Sequence, residues 1–312
     1  MHAQSTGEPS LPGRAPSAAL LVGLMFLTAA PLAVGPASAQ DVVSYVRFRT
    51  ADGAVSYGVL EGERVRRVEG DIFGEHRAVE ATVPLSAVRL LAPVEPSKVI
   101  AVGLNYRSHI GNRPPAGEPG LFAKYPTSIV GPGDSIVLPA GAENVHYEGE
   151  LVVVIGRRAK DVSPEEAAAY VFGVTAGNDV SERDWQGSDL QWLRAKASDT
   201  FGPLGPALVT GLDYGDLLLQ TRVNGDVRQS ERTSDLIFDV PHIVSYVSRY
   251  VTLLPGDVIF TGTPQTTRAM RPGDVVEVEI EGVGVLRNVV VGARPGGAAG
   301  AARVAALVGR GT

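Results

Sequence analysis

The chain has no cysteine, which excludes thiol catalysis, disulfides and Cys-ligated metal together. It has no surplus of basic charge either. Its 28 Lys and Arg stand against 34 Asp and Glu, a formal net charge of −6, and no basic run offers the electrostatic footprint of a nucleic-acid binder. Aromatic residues are scarce at 6%. The one long apolar run, Ala18–Ala30, is short of the roughly 20 residues that a membrane-spanning helix needs. What the chain has in quantity is glycine (37) and proline (22), in 312 residues that are 44% hydrophobic and 20% charged. That is a globular balance, enough for one large core and a small appendage, with many turns between short strands.

The first 39 residues have the pattern of an export signal. A polar start carrying Arg14 leads into the apolar run, then Pro31, Pro36 and the small-residue site Ala37-Ser38-Ala39 before Gln40. The expectation is a signal peptide over 1–39 and an exported, periplasmic or secreted mature protein, free of the membrane after cleavage. Residues 40–95 read as a small N-terminal β domain. Val43–Arg49 alternates, Ala51-Asp52-Gly53 turns, Val55–Leu60 returns, Arg64–Val68 forms a third strand, and the stretch from Val83 is a connector. Residues 96–293 form the main domain, and the low-complexity segment 294–312 reads as a flexible tail.

Within the main domain strands outnumber helices. Ser163-Pro164-Glu165-Glu166 opens one helix, with a serine cap, proline in the first turn and acids where the helix dipole favours them. Asp239 to Tyr250 is a second, with Ile243, Val244 and Val247 on one face. Asn224-Gly225 predicts a type I′ hairpin turn. Pro-Gly-Asp recurs at 132–134, 255–257 and 272–274, each time before an apolar strand, and these aspartates read as turn residues without catalytic meaning.

The chemistry starts at Tyr147-Glu148-Gly149-Glu150. Residues i and i+2 share one face of a strand, so both carboxylates point the same way, and the strand then turns wholly apolar. Two like charges in an apolar neighbourhood repel unless a cation lies between them. Asp179 ends another apolar run. Three carboxylates without a sulfur or histidine ligand pattern suit a hard cation, Mg²⁺ or Mn²⁺, with Ca²⁺ also admissible, rather than zinc. Taken alone, the Glu-x-Glu pair also fits a wet edge strand on which both acids merely solubilise.

Five stretches in order carry a resemblance: Gly103–His109 (GLNYRSH), Tyr147–Glu150 (YEGE), Gly177–Gln186 (GNDVSERDWQ), Arg194–Pro206 (RAKASDTFGPLGP) and Thr261–Pro264 (TGTP). Together they resemble the fumarylacetoacetate hydrolase family from about Lys98 to Val290. The resemblance implies an α+β fold, a mixed β-sheet roll or barrel with few helices, here with the small N-terminal β domain added. It implies Glu148, Glu150 and Asp179 as metal ligands, a homodimer, and a small 2-oxo acid as substrate, without nucleic acid or membrane partners. It also implies His109, Lys196 and Arg183 as catalytic residues and Lys124, Gln186 and Thr263 as substrate-binding ones.

The residues support these roles in different ways. His109 has a reference pKa near neutrality, about 6.5, which suits a general base. Arg183 follows Asp179 by four, so a helical turn would put them on one side; its bland alternative is a surface ion pair with Asp184 or Glu182. Lys196 lies between apolar segments, where an ammonium needs a carboxylate or a substrate. Gln186 offers an amide, Thr263 a hydroxyl and backbone N–H groups, and Lys124 reads equally as a surface lysine.

Two departures stand out. Many family members carry a glutamate three residues after the histidine; this chain has Asn112, and Glu118 would have to supply the charge from a lid over the site. After Thr-Gly-Thr-Pro the chain runs directly through Gln265-Thr266-Thr267-Arg268 to Pro272, a shorter wall from which Arg268 or Arg271 would reach a second substrate carboxylate. The first expectation is metal-dependent hydrolysis of a C–C bond in an acylpyruvate or fumarylpyruvate-like 2-oxo acid. The alternatives are a decarboxylase, isomerase or lyase of the oxaloacetate, hydroxymuconate or ureidoglycolate type on the same site, or an exported binding protein without catalysis.

Overall fold

The computed structural model describes residues 41–293; residues 1–40 and 294–312, where the expected signal peptide and flexible tail fall, lie outside the described residues. An N-terminal meander consists of β1 (Val43–Arg49), β2 (Val55–Glu61), β3 (Arg64–Gly70) and β4 (His76–Pro84). There follow β5 (Arg89–Leu91), β6 (Val99–Gly103), β7 (Gly120–Lys124), β8 (Ile129–Val130), β9 (Ser135–Val137), β10 (Val145–His146), β11 (Gly149–Ile155), β12 (Val171–Asn178) and β13 (Ser181–Glu182). The remaining strands are β14 (Gly202–Thr210), β15 (Leu218–Val223), β16 (Asp226–Arg232), β17 (Val258–Phe260), β18 (Val275–Ile280) and β19 (Gly284–Val291). Helices are few and mostly short: α1 (Arg107–Ile110), α2 (Pro164–Ala167), α3 (Arg183–Ser188), α4 (Leu193–Ala197) and α5 (Val240–Tyr250).

The larger sheet runs β4-β3-β2-β1-β14-β12-β11-β17-β6-β7, with β5 on β1 and β8 on β14; a second runs β16-β15-β18-β19-β9, and β10 pairs with β13. The fold is the expected strand-dominated mixed sheet, an open roll rather than a closed barrel, since β4 and β7 do not meet. The N-terminal strands are hydrogen-bonded into the main sheet through β1 and β14, Tyr45 opposite Leu208. In the N-terminal meander, β4 is the strand that the sequence pattern did not announce. It is an edge strand with most side chains exposed, so it carries no apolar alternation to read.

The local expectations about turns and caps hold. Asn224 and Gly225 take φ of 53° and 84° between β15 and β16, with Val223 opposite Asp226, as a I′ turn requires. Asp239 caps α5 by accepting from the His242 N–H at 2.9 Å, and Ile243, Val244 and Val247 are buried. Ser163 and Glu166 form a capping box, yet the α-helical part is a single turn that tightens at Ala168–Tyr170. In each Pro-Gly-Asp turn the aspartate accepts the N–H three residues back: Asp134 from Gly131, Asp257 from Leu254, Asp274 from Arg271.

The site is placed by β11, whose seven residues are all buried. Leu151, Val153 and Ile155 join Leu219, Val278 and Ile280 of the second sheet and Val244 and Val247 of α5 in one apolar cluster. Val152 and Val154 face the other way, against Val99, Ala101, Leu204 and Phe260. By parity Glu148 and Glu150 belong with Val152. Gly149 between them has to be glycine, because a Cβ there would lie 2.0 Å from Thr221 Oγ1. The acids therefore start from a strand held on both faces.

Candidate metal centre

Glu148 and Asp179 are tied together by backbone. The Asp179 N–H donates to the Glu148 carbonyl at 2.8 Å, and the Glu148 N–H donates to Asn178 Oδ1 at 2.9 Å. Glu150 sits opposite Gly177 in the β11–β12 ladder, where a Cβ on Gly177 would come within 2.5 Å of Phe260 and Val152. All three acids are buried, at 3%, 2% and 1% exposure. One carboxylate oxygen from each lies within 4.8 Å of the others. The wet-edge alternative is thereby removed.

Three cations surround the acids. Lys196 Nζ reaches Glu148 Oε2 and Asp179 Oδ2, both at 2.6 Å. Lys124 Nζ reaches Asp179 Oδ1 at 2.5 Å and also donates to the Lys196 carbonyl. Arg183 Nη2 binds Glu148 Oε1, and Ser181 Oγ donates to Glu148 Oε2 at 3.1 Å. Burial alone would raise the Glu148 carboxyl, but Lys196, Arg183 and His109 outweigh it and hold it far below the carboxylate range. For Lys196 burial is likewise overridden, by Asp179 and Glu148, and its ammonium titrates above the ordinary value. Lys124 is the reverse: burial wins, and its pKa falls.

Glu150 is left out of this pairing. Among the described residues its carboxylate takes one hydrogen bond, from the Gly262 N–H at 2.7 Å. Burial first, then Asp179 and Glu148, push it well above the ordinary range. A buried carboxylate without a matched positive charge, beside two others, fits a cation in their midst. The donor set is oxygen only, as a hard divalent ion prefers.

The acids open into a cavity of about 580 Å³. Val102, Leu104, Phe122 and Trp192 form an apolar wall; Asn144, His146, Arg183, Gln186 and Thr267 form a polar one. His109 enters between them with Nε2 4.0 Å from Glu148 Oε1, and its Nδ1 meets the backbone carbonyl of Gln265. Gln186 Oε1 accepts from Arg183 Nη1 at 2.7 Å, which turns its NH₂ end outward. His146 is joined to Thr267 Oγ1 through Nδ1 (2.9 Å) and to Asn144 Oδ1 through Nε2 (2.7 Å). Burial, helped by Arg183, lowers it to about 4.

The structure thus brings His109, Lys196, Arg183, Gln186, Thr263 and the three acids to one cavity. It corrects several sequence expectations. Lys124 does not line the cavity; its side chain is wholly buried behind Asp179, spent on that carboxylate. The Thr263 hydroxyl is committed to the Gly149 carbonyl at 2.9 Å and accepts from Gln229 at 2.8 Å, so its own proton is not free for substrate. Glu118 lies 3.8 Å from His242 rather than at His109, and Asn112 is exposed. Arg268 and Arg271 do not line the cavity, whereas Arg113 does. No helical turn joins Asp179 to Arg183; strand β13 intervenes, and Arg183 arrives through Glu148.

His146, Thr267 and the Gln265 carbonyl are the groups that sequence reasoning missed. For His146 a signal existed, since it precedes Glu148 by two and shares its parity.

The Fumarylacetoacetate (FAA) hydrolase C-terminal family model matches residues 98–291, and the Rv2993c-like, N-terminal model matches residues 44–93. The bovine mitochondrial oxaloacetate tautomerase FAHD2A (Bos taurus) is 46% identical, over 67% of this chain and 71% of its own. The crystal structure of 2-hydroxyhepta-2,4-diene-1,7-dioate isomerase from Mycobacterium marinum superposes with a TM-score of 0.75 at 47% identity, covering 80% of this chain and 98% of that one. The maleylpyruvate hydrolase of Sphingobium sp. SYK-6, in complex with manganese(II) and pyruvate, gives 0.68 at 30% identity, covering 80% and 100%. These relatives correct the expectation of export: the one whose name carries a compartment is mitochondrial. An apolar Ala/Leu run before small residues is a pattern of composition, and the single Arg14 ahead of it, offset by Glu8, gave it little electrostatic support.

Proposed function

The chain belongs to the fumarylacetoacetate hydrolase family and is an enzyme, and from that premise we propose that it moves a proton between the keto and enol forms of a small 2-oxo dicarboxylate. Glu148, Glu150 and Asp179 would hold Mg²⁺ or Mn²⁺, with Ca²⁺ admissible on the same oxygen ligands. When bound, the ion supplies Lewis-acid polarisation of a carbonyl oxygen.

The carrying observation is the environment of His109. Its Nδ1 rests on a neutral backbone carbonyl, and its Nε2 faces the cavity. A base so held can take a proton from the carbon beside a ketone and return it. Its Nδ1 lacks the carboxylate partner of a hydrolytic dyad; the carboxylate nearest the ring, Glu148, lies 4.0 Å from Nε2 instead. The other residues bind and orient. Arg183 and the outward NH₂ of Gln186 meet a substrate carboxylate, and Lys196 places a positive charge beside Glu148 and Asp179 under the Phe122 ring.

Charge balance supports the substrate class. In net charge the three acids are offset by Lys124, Lys196 and Arg183, although these pair with Glu148 and Asp179 and not with Glu150, so a divalent ion leaves a surplus of two positive charges. A dianion neutralises it; a neutral ester or ketone does not.

A second reading is C–C hydrolysis of an acylpyruvate or fumarylpyruvate-like substrate, the first expectation from sequence. It is favoured by the relation to a maleylpyruvate hydrolase and by a cavity large enough for substrate and water. Decarboxylation or lyase chemistry would use the same residues. Incubating the Mn²⁺-loaded protein with enol oxaloacetate and, separately, with acylpyruvates separates these readings. Accelerated loss of enol absorbance, with carbon count unchanged by mass spectrometry, supports proton transfer. Brisk release of pyruvate from acylpyruvates without acceleration of the enol-to-keto step would overturn it.

A further inference from the structure

We infer that the segment Gln265–Thr267 is the positioning device of the site: the Gln265 carbonyl fixes the proton position of His109, and the Thr267 hydroxyl ties Arg183 to His146, whose own proton position Asn144 fixes. The inference rests on the proposed proton-transfer reading for its meaning, although its geometry does not.

Gln265 is a non-glycine residue in the left-handed region, φ 55°, and it is clamped there from three sides. Its N–H donates to Ser108 Oγ at 2.9 Å. Its side-chain oxygen accepts from the Ser230 N–H at 2.9 Å, and its Nε2 donates back to the Ser230 carbonyl at 3.4 Å. The preceding carbonyl, of Pro264, accepts from the buried Gln229. The one group left to point inward is the Gln265 carbonyl, which meets His109 Nδ1. A carbonyl has no proton to give, so Nδ1 carries the hydrogen and Nε2 presents a lone pair to the cavity.

His146 carries the opposite tautomer, fixed by Asn144, and Thr267 joins it to Arg183. Arg183 Nη2 only donates, so Thr267 Oγ1 accepts from it at 2.9 Å. Asn144 turns its Nδ2 to Asp184 Oδ1 at 2.8 Å and so presents Oδ1, at 2.7 Å, to His146 Nε2, which carries the ring hydrogen; Nδ1 is left to accept the Thr267 hydroxyl proton at 2.9 Å. His146 therefore does not act as a base; it fixes the Thr267 hydroxyl that holds Arg183 between Glu148 and Gln186.

The two roles are separable. Gln265 governs the base and thus turnover, and Thr267 governs Arg183 and thus substrate affinity. The test is ¹⁵N NMR of the metal-free, histidine-labelled protein, whose five histidines are assigned by single substitution. The wild-type spectrum should show His109 with its proton on Nδ1 and His146 with its proton on Nε2. Gln265→Pro cannot take φ 55° and should lose the preference at His109 alone, with Gln265→Gly, which keeps that φ and loses the Ser230 clamp, as the milder variant. Thr267→Val should leave both proton positions in place, since Asn144 still holds His146, and raise KM on the order of tenfold, as for loss of one hydrogen bond to a charged group, with Thr267→Ser restoring it. A wild-type His109 protonated on Nε2 would overturn the inference whether or not any variant folds, as would tautomers unmoved in a folded Gln265→Pro protein. Tautomers as stated in a protein that does not interconvert keto and enol forms would leave this assignment standing and sink the proposed reaction instead.

Discussion

In chelator at pH 7, replacing Glu150 by glutamine should make the protein more stable, although it removes one of the three acids. Burial, then Asp179 and Glu148, push the Glu150 carboxyl well above its ordinary value of 4.5. A carboxylate so placed can escape its penalty by taking a proton. Each pH unit between the ordinary value and the working pH costs about 1.36 kcal/mol, so at pH 7 the penalty has a ceiling of about 3 kcal/mol. Glutamine keeps the acceptor for the Gly262 N–H and carries no charge, so the variant should gain stability up to that ceiling, a rise in Tm of at most roughly 10 °C for a chain of this size. The sign follows from linkage. An acid whose pKa is raised by folding contributes stability below its unfolded value, and that contribution is lost as pH rises from about 4.5 toward its folded value. The gap between variant and wild type should therefore open with rising pH and close on acidification to about 4.5. Thermal melts across that range measure it, repeated with saturating Mn²⁺. There the order reverses, because the ion stabilises wild type by mass action and finds an incomplete ligand set in the variant. A Glu150→Gln protein that melts below wild type in chelator at pH 7, or a gap indifferent to pH, would refute the reasoning.

Lys124→Met should destabilise the metal-free protein by about 3–5 kcal/mol in a urea melt, since it leaves Asp179 buried with one partner fewer; the deficit should narrow with Mn²⁺, and KM should hold because Lys124 does not line the cavity. Asp179→Asn should abolish stoichiometric Mn²⁺ binding in calorimetry. His109→Ala should lower turnover on the order of 10²–10⁴-fold and leave the calorimetric Mn²⁺ isotherm in place, as its ring touches the acids only at 4.0 Å.

The sequence was most legible where chemistry is local. The Asn224-Gly225 turn, the Asp239 cap and the Pro-Gly-Asp turns are set by residues within three positions of each other, and the structure reproduces them. The Glu148–Glu150 face was legible because strand parity is rigid and β11 is apolar throughout. What failed was long-range or featureless. The β4 edge strand shows no alternation. Lys124 reads as a pocket or a surface lysine, and only tertiary packing buries it behind a residue 55 positions away. The partner of His109 is a main-chain carbonyl 156 positions distant, and any residue type can present a carbonyl, so no side-chain motif encodes it.

This division explains why family membership identifies the acids better than the reaction. Glu148 and Glu150 stand at the start of β11 and Asp179 just past the end of β12, inside the core, where a change of register would replace Gly149 by a side chain against Thr221. The base and the substrate groups stand on the connections around residues 103–109 and 263–267, held by side chains that are themselves buried. Asn105 binds the Phe238 and Thr261 carbonyls through Nδ2 at 2.9 and 2.8 Å and accepts from the Phe238 N–H at 2.8 Å. That anchorage leaves Leu104 beside it with a φ of 61°, on the apolar lip of the cavity. Gln229 does the same for Thr263 and Pro264. A relative can keep Asn105, Gln229 and all three acids while changing what its equivalent of Gln265–Thr267 presents to the histidine. It would then bind the same ion and the same class of anion and move a proton to a different atom.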